Sequence, residues 1–530
     1  MPVLAGWLTG EQVPEEIIEQ TLLAMSEVLG RHGGQPARTV QPGAGLVAFS
    51  DTAYAMSRND SPPVLDWVPD RRTLVYRRPL SGLHTLYYCE NWPAEGNLLF
   101  ASEIKALLAV GAPRRLHLAA LDALLRYGFM PAPWTIFKDI SCVPAGSILR
   151  WQRAKLVVNH ATDYRFDESP APPDALDQLH DQLVEVSAGQ LPPHEHVVAL
   201  SGGGPASALA TVLAAQQSTT RFTLAALDYT NSTGEQVWQD AQQIAEACEL
   251  PLLAITGVDQ VDFWTATLAA LEAPCVDTRP LALHQLLHTA AVETGARVAL
   301  SGLGGTVIQG PIPIAPESQS AAGTGQVPLL ESYQQWLGSQ PGTGTSSLFS
   351  QEVAASLREA EPWEETLHAR KLARRAAQFA DPTRGSYYLD LHLRLPDLIV
   401  NTVQQLATQE RMAVRSPYLH HQIMDTFVGL PPMLSNGLAK ERLLTTLLQR
   451  HLPQMAGNTI PLYAPVSSLL RIADSDLLEQ VLSPAAIKAR GIFDAQEVAR
   501  LQQQAEGKSV SRELLLVFTT QLLCHLFEVE

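Results

Sequence analysis

The sequence predicts a two-part protein: an α+β N-terminal domain of layered antiparallel strands, followed by an α/β domain with a parallel sheet and a helical C-terminal region. Three observations predict it. Up to Arg150, short apolar runs bounded by turn residues recur with few helical stretches between them. From His196 the pattern becomes strand, glycine-rich turn and helix, in repetition. From Glu352 onward the apolar residues fall overwhelmingly at helical spacing.

The elements follow in order. The first part carries LVAFS (Leu46–Ser50), TLVYRRP (Thr73–Pro79), TLYYCEN (Thr85–Asn91), NLLFAS (Asn97–Ser102) and SILRWQ (Ser147–Gln152). Runs of this kind pack as antiparallel layers. The acid- and proline-rich DYRFDESPAPP (Asp163–Pro173) breaks the pattern and reads as a linker. The expected division is therefore 1–162, a linker 163–175, and 176–530. In the last part HVVAL (His196–Leu200), FTLAAL (Phe222–Leu227), PLLAIT (Pro251–Thr256) and ARVALSGLGG (Ala296–Gly305) alternate with helical stretches, as strands covered on both faces do. Ligands of such sheets sit beyond the carboxyl ends of the strands. Residues 309–347, rich in Gly, Pro, Ser and Thr, read as a long mobile loop around an amphipathic segment, Leu329–Leu337. No internal repeat is evident.

The chain has 530 residues, 46% hydrophobic and 17% charged, which is ample apolar material for a core and excludes wholesale disorder. Its 37 Lys+Arg against 54 Asp+Glu leave a net charge of −17, and no basic patch offsets it, so neither nucleic acid nor an anionic membrane is an expected partner. Cys89, Cys142, Cys248, Cys275 and Cys524 are widely spaced and form no CxxC or CxxH, so neither a disulfide framework nor a zinc ribbon is indicated. A reducing cytoplasm fits best, and MPVLAGWLTG has no basic region leading an apolar stretch.

Ser201-Gly202-Gly203-Gly204-Pro205-Ala206-Ser207 follows HVVAL and opens a helix. Backbone N–H groups and the helix dipole at such a turn face an anion, which makes it a phosphate or pyrophosphate cradle. The plain alternative is a tight turn that lets helix pack on strand. Ser201, Gly202, Gly203, Gly204 and Ser207, with Ser301 and Gly302 after the strand ARVAL, are the candidate anion-binding residues.

Further segments decide between these readings. MPVLAGWL, SGLHTLYYCEN, FASEIKALL (Phe100–Leu108), PAPWTIFKDISCVPAGSIL (Pro131–Leu149), LEAPCVD (Leu271–Asp277), RVALSGLGG (Arg297–Gly305), LRLPDLIV (Leu393–Val400), VRSPYLHH (Val414–His421) and GLAKERLL around Lys440 occur in one order along the chain. In these motifs the chain resembles the glutamine-dependent asparagine synthetases, with their β-lactam synthetase and lasso-peptide cyclase relatives. The resemblance implies an N-terminal-nucleophile amidotransferase-like domain at 1–162 and an ATP-binding synthetase domain of the pyrophosphatase-loop type at 176–530.

The departures from that resemblance are all of one kind. Pro2 stands where the family's glutaminase cysteine belongs, and the Asn-Gly-Glu segment that would supply oxyanion groups is missing. Pro205 and Ala206 occupy the positions of the SGGxDS aspartate and serine, and Gly302-Leu303-Gly304-Gly305-Thr306-Val307 stands for a GxGxDE segment, so magnesium on ATP lacks its carboxylates. Gln404-Gln405 replaces an expected Asp-Arg pair and Ala413 an expected glutamate. Asn458-Thr459-Ile460 replaces the Arg-x-Lys whose lysine would stabilise the adenylation transition state. The expectation is a degenerate member with no glutaminase and no cofactor, ATP and magnesium binding poorly.

Asp277 in LEAPCVD is the expected general base, Arg415 the residue orienting a carboxylate or phosphopantetheine-like group, and His420 a reserve base. Each has a plain alternative: Arg415 a buried ion pair, His420 and His421 a structural role. Cys275 reads as a packed core cysteine rather than an acyl-accepting thiol. Lys440 holds phosphate or caps a helix. His284 and His288 have the i,i+4 spacing of a helical zinc pair, but no third ligand or adjacent glutamate is placed to help, so no metal is expected.

Three function classes follow. The first is ATP-independent amide, ester or ring formation on an acyl, peptidyl or carrier-protein-bound substrate in natural-product biosynthesis. The second is a non-catalytic partner of a biosynthetic enzyme, and the third an ATP-dependent amide ligase using ammonia or an amine. A second copy of the chain, in a homodimer, is an open alternative among partners.

Overall fold

The computed structural model describes residues 3–50, 65–68, 71, 73–166, 171–193, 195–202, 204–217, 220–228, 234–256, 261–310, 329–337, 347–455, 480–505 and 510–529. Pro2, Gly203 and Asn458-Thr459-Ile460 lie outside them, as do residues 311–328 and 338–346 of the expected long loop. The amphipathic segment in that loop forms the helix Leu329–Trp336, with Leu330 and Tyr333 buried.

The N-terminal part comprises β1 (Val3–Leu8), β2 (Gln35–Gln41), β3 (Ala44–Ser50), β4 (Leu65–Val68), β5 (Thr73–Arg77), β6 (Tyr87–Glu90), β7 (Leu98–Ala101), β8 (Ser141–Cys142), β9 (Ser147–Gln152) and β10 (Lys155–His160). They form a six-stranded sheet of order β2-β3-β1-β7-β6-β8 and a four-stranded sheet of order β10-β9-β5-β4. Every pairing in both is antiparallel. Alternation in SILRWQ turns Leu149 and Trp151 inward, against Leu4, Leu8 and Phe100 of the other sheet. Gly6 is required where the layers meet, because a Cβ there would lie 2.3 Å from the Phe100 ring. The outer face of the larger sheet is covered by the helix Glu15–Leu29, which buries Ile18, Leu22, Met25 and Leu29 at helical spacing.

The second part holds β11 (His196–Leu200), β12 (Arg221–Leu227), β13 (Leu252–Ile255), β14 (Val298–Leu300) and β15 (Ala413–Arg415) in a parallel sheet of order β13-β12-β11-β14-β15. The four strands read from the sequence are all present. Beyond Glu352 the described residues are overwhelmingly helical, as expected, and β15 is a short strand among them. Three residues give too short a run to show a strand period, and the β14 edge supplies their hydrogen bonds. Because β11 pairs with β12 on one side and β14 on the other, the strand order reverses at β11. A crevice opens there, between the Ser201 and Ser301 turns.

A polar seam joins the two parts. The Glu272 carboxylate, 1% exposed, accepts the N–H groups of Ile104 and Lys105 at 2.8 Å each. Arg78 Nη1 lies 3.7 Å from Asp397 Oδ1, and Asp397 Oδ2 accepts from Ala132 N at 2.9 Å. Asp397 belongs to the π-helical turn Arg394–Val400. Gln404 Oε1 accepts from His84 N (2.7 Å), and Gln405 Nε2 donates to the Tyr87 hydroxyl (3.0 Å). The two glutamines that replace an expected Asp-Arg pair thus serve the contact between the parts. No helix among the described residues is long and apolar enough to cross a membrane.

Candidate functional site

β11 ends at Leu200, and Ser201 N extends the ladder to Ala225 O at 2.9 Å. Three residues past Gly202 the helix Pro205–Gln217 begins. Proline suits a first helical position, where its missing N–H would be unpaired, but that leaves the turn one donor short for any anion. Ser207 Oγ accepts from Gly202 N (3.1 Å) and donates to Gly204 O (3.0 Å), so one hydroxyl braces the turn from within. The second turn packs directly on the first. A Cβ on Gly302 would stand 2.3 Å from Ser207 N, and Gly304 has φ +84°, which favours glycine. Ser301 N donates to Arg415 O (2.9 Å) and Leu303 N to Ser301 Oγ (3.2 Å).

A cavity of about 360 Å³ lies at this switch point, walled by both turns, by the segment Leu271–Asp277 with Arg279, and by Arg78, Tyr87, Asp397 and Gln405 of the seam. Of the candidate residues it brings together Gly202, Gly204, Ser207, Ser301, Gly302 and Asp277. Asp277 is held by Arg279: Oδ2 faces Nε at 2.9 Å and Nη2 at 2.5 Å, and Oδ1 accepts the Arg279 N–H at 2.9 Å. Cys275 is on the same wall. Burial, with Asp277 alongside, pushes its thiol well above the usual range, and its backbone is tied to Thr519 Oγ1. That is the environment of a core cysteine rather than a nucleophile.

Other candidates are elsewhere. Arg415 is 7% exposed and donates to the Gln190 carbonyl, lining a smaller cavity of about 100 Å³. His420 N-caps the helix His421–Gly429, its carbonyl accepting from Met424 N at 2.9 Å, and its ring lies 4.4 Å from that of His421. Lys440 is buried with Nζ 3.3 Å from Leu430 O and 4.6 Å from the centre of the Tyr387 ring; burial, aided by Arg384, pulls its ammonium down to about 7.

The expectation that no glutamate helps His284 and His288 is corrected. Glu410 sits 2.8 Å from His284 Nε2 and 2.9 Å from His288 Nδ1, one carboxylate bridging two imidazoles. It arrives from beyond the distant helix Asn401–Gln409, so spacing near the histidines could not reveal it.

Sequence reasoning missed Arg279, Arg78 and Asp397 on the cavity wall. Burial raises Asp397 to about 6 against the opposing pull of Arg78. Its signal was present, since Asp397 lies inside LRLPDLIV.

No curated protein matches the chain. Residues 65–164 match the family model described as glutamine amidotransferase domain, and residues 183–525 that of asparagine synthase. With antiparallel layers before the parallel sheet and the asparagine synthase match spanning well over half its length, the chain belongs to the asparagine synthase family.

Proposed function

We propose that this chain forms an amide, ester or ring bond on an acyl, peptidyl or carrier-bound substrate that arrives already activated, in the biosynthesis of a natural product, without glutamine hydrolysis, ATP or magnesium. The observation that carries the reading is an open cavity beside two turns that carry no carboxylate to hold magnesium. Ser207 Oγ is engaged by Gly202 N and the Gly204 carbonyl, and Pro205 offers no N–H. The cavity of about 360 Å³ nevertheless stays large enough for an acyl chain. In the reaction, an amine or hydroxyl attacks a thioester carbonyl, its proton passes to a base, and the thiol leaves with a proton, so no phosphate chemistry enters. Arg279, its side chain 43% exposed, takes the part expected of Arg415 and offers positive charge to a carboxylate or phosphate of the substrate.

One observation favours a second reading. Asp277, the acid expected as base, is already engaged by Arg279, as a non-catalytic partner of a biosynthetic enzyme would tolerate. The test is incubation of the purified protein with acyl thioesters and amines, free of ATP and magnesium, with products read by mass spectrometry. Turnover is expected, and no pyrophosphate exchange when ATP is added. Exchange at ordinary ligase rates would overturn the proposal in favour of an ATP-dependent amide ligase. Failure of turnover together with stable capture of a carrier or biosynthetic enzyme would favour the partner role.

A further inference from the structure

Where the N-terminal sheets meet the helical region, histidine nitrogens that lack hydrogen-bond partners among the described residues converge beside a carboxylate. His160 ends β10, Asp163 follows in the connecting segment, and His392 ends the helix Pro382–His392. One ligand atom from each lies within 4.8 Å of the other two. The rings of His160 and His392 are 5.5 Å apart, and His392 Nε2 is 3.2 Å from Asp163 Oδ1. His368, in the first turn of the helix Leu367–Ala376, flanks the group.

The tautomer of His392 follows from its partner. Nδ1 lies 2.9 Å from the Tyr388 carbonyl, which can only accept, so Nδ1 carries a proton and Nε2 is the nitrogen that faces the carboxylate. An imidazole whose far nitrogen is fixed by a backbone carbonyl is the arrangement that supports metal ligands. Both ring nitrogens of His160 and Nε2 of His368 and His392 are buried with no hydrogen-bond partner among the described residues. Each such atom costs about 1–3 kcal/mol when left unpaired, so several in one place call for a cation between them. Asp163 is set for this role. Oδ1 accepts from Tyr164 N (2.9 Å) and Oδ2 from the Tyr388 hydroxyl (3.3 Å), Arg375 Nε is 3.5 Å from Oδ2, and the side chain, 30% exposed, gives access from solvent.

We propose that His160, Asp163 and His392 form a binding site for a divalent transition metal of the zinc class, tying the last strand of the N-terminal sheets to the helical region. Two imidazole nitrogens and one carboxylate oxygen are a zinc donor set. Bonds of about 2.0–2.2 Å put tetrahedral ligands roughly 3.4 Å apart; Asp163 Oδ1 and His392 Nε2 already stand 3.2 Å apart, and no pair of the three ligand atoms exceeds 4.8 Å.

The test uses the full chain, stripped with chelator, titrated with zinc by calorimetry and with cobalt(II) by visible absorption. One zinc per chain is expected, with a rise in melting temperature. His160→Gln and Asp163→Asn each lower the affinity by about 100-fold or more and abolish that rise. His288→Ala, at the Glu410 bridge, leaves both unchanged. Both test positions are only partly buried, and circular dichroism verifies that each variant folds. Wild-type protein that takes up no zinc in large excess would overturn the proposal, showing that a proton alone bridges His392 and Asp163. Binding that survives in both variants, or is lost in His288→Ala, would also overturn it by placing the metal elsewhere.

Discussion

The seam between the two parts and the turn after β11 border the same cavity, yet they handle polar groups in opposite ways. At the seam, charged side chains from one part meet backbone donors of the other: Glu272 takes the N–H groups of Ile104 and Lys105, and Asp397 takes that of Ala132 beside Arg78. At the turn, Ser207 closes on Gly202 and Gly204 within a few residues. Buried charge across a junction fixes the geometry of both sides and is costly to disturb. The two parts are thus tied across the seam, whereas the hydroxyl that braces the turn comes from the turn itself.

The comparison breaks most readily at Glu272. Glu272→Ala leaves the N–H groups of Ile104 and Lys105 unpaired at the seam and removes a carboxylate 3.6 Å from Lys105 Nζ, which keeps Glu103 and the Ala269 carbonyl. A loss of about 3–5 kcal/mol is expected, read as a lower urea midpoint. A midpoint within error of wild type would show that the seam does not hold the parts together.

A smaller effect, dependent on pH, is expected at Asp397. Its folded value of about 6 stands above the ordinary 3.8, so the native chain keeps a proton that the unfolded chain gives up. The stability this contributes is fully present below about pH 4 and is lost as pH rises through about 6, a swing of about 2–3 kcal/mol. Asp397→Asn removes this slope in unfolding midpoints measured from pH 4 to pH 7. An unchanged slope would assign it to other groups.

The smallest effect is expected at the turn. Ser207→Ala removes one hydroxyl from a locally paired loop, at about 1 kcal/mol by thermal or urea unfolding. A loss as large as that of Glu272→Ala would erase the contrast between the regions.

Much of this was legible before any coordinates. Leu149 and Trp151 alternate with polar residues in SILRWQ, and β9 follows directly. HVVAL and RVAL are uninterrupted apolar runs before glycines, and they became the adjacent strands β11 and β14. β2, with five of its seven residues exposed, and β10, whose exposed and half-buried residues alternate, bury no residue fully and leave no long apolar run to mark them. The turn residues were legible too, because Ser201 to Ser207 follow one another in the chain.

The sequence by itself determined the two-part fold, the parallel sheet and the place of its crevice, because period, glycine position and strand order are local properties that survive in one dimension. Only the tertiary structure decided which groups meet. It took Arg415, His420 and Lys440 away from the cavity. It bridged His284 and His288 with Glu410 and gathered His160, Asp163 and His392 from distant parts of the chain. The reason is physical: the state of an ionisable side chain depends on burial and on neighbours within a few ångströms, and folding brings those neighbours from positions whose spacing in the chain carries no trace of the meeting.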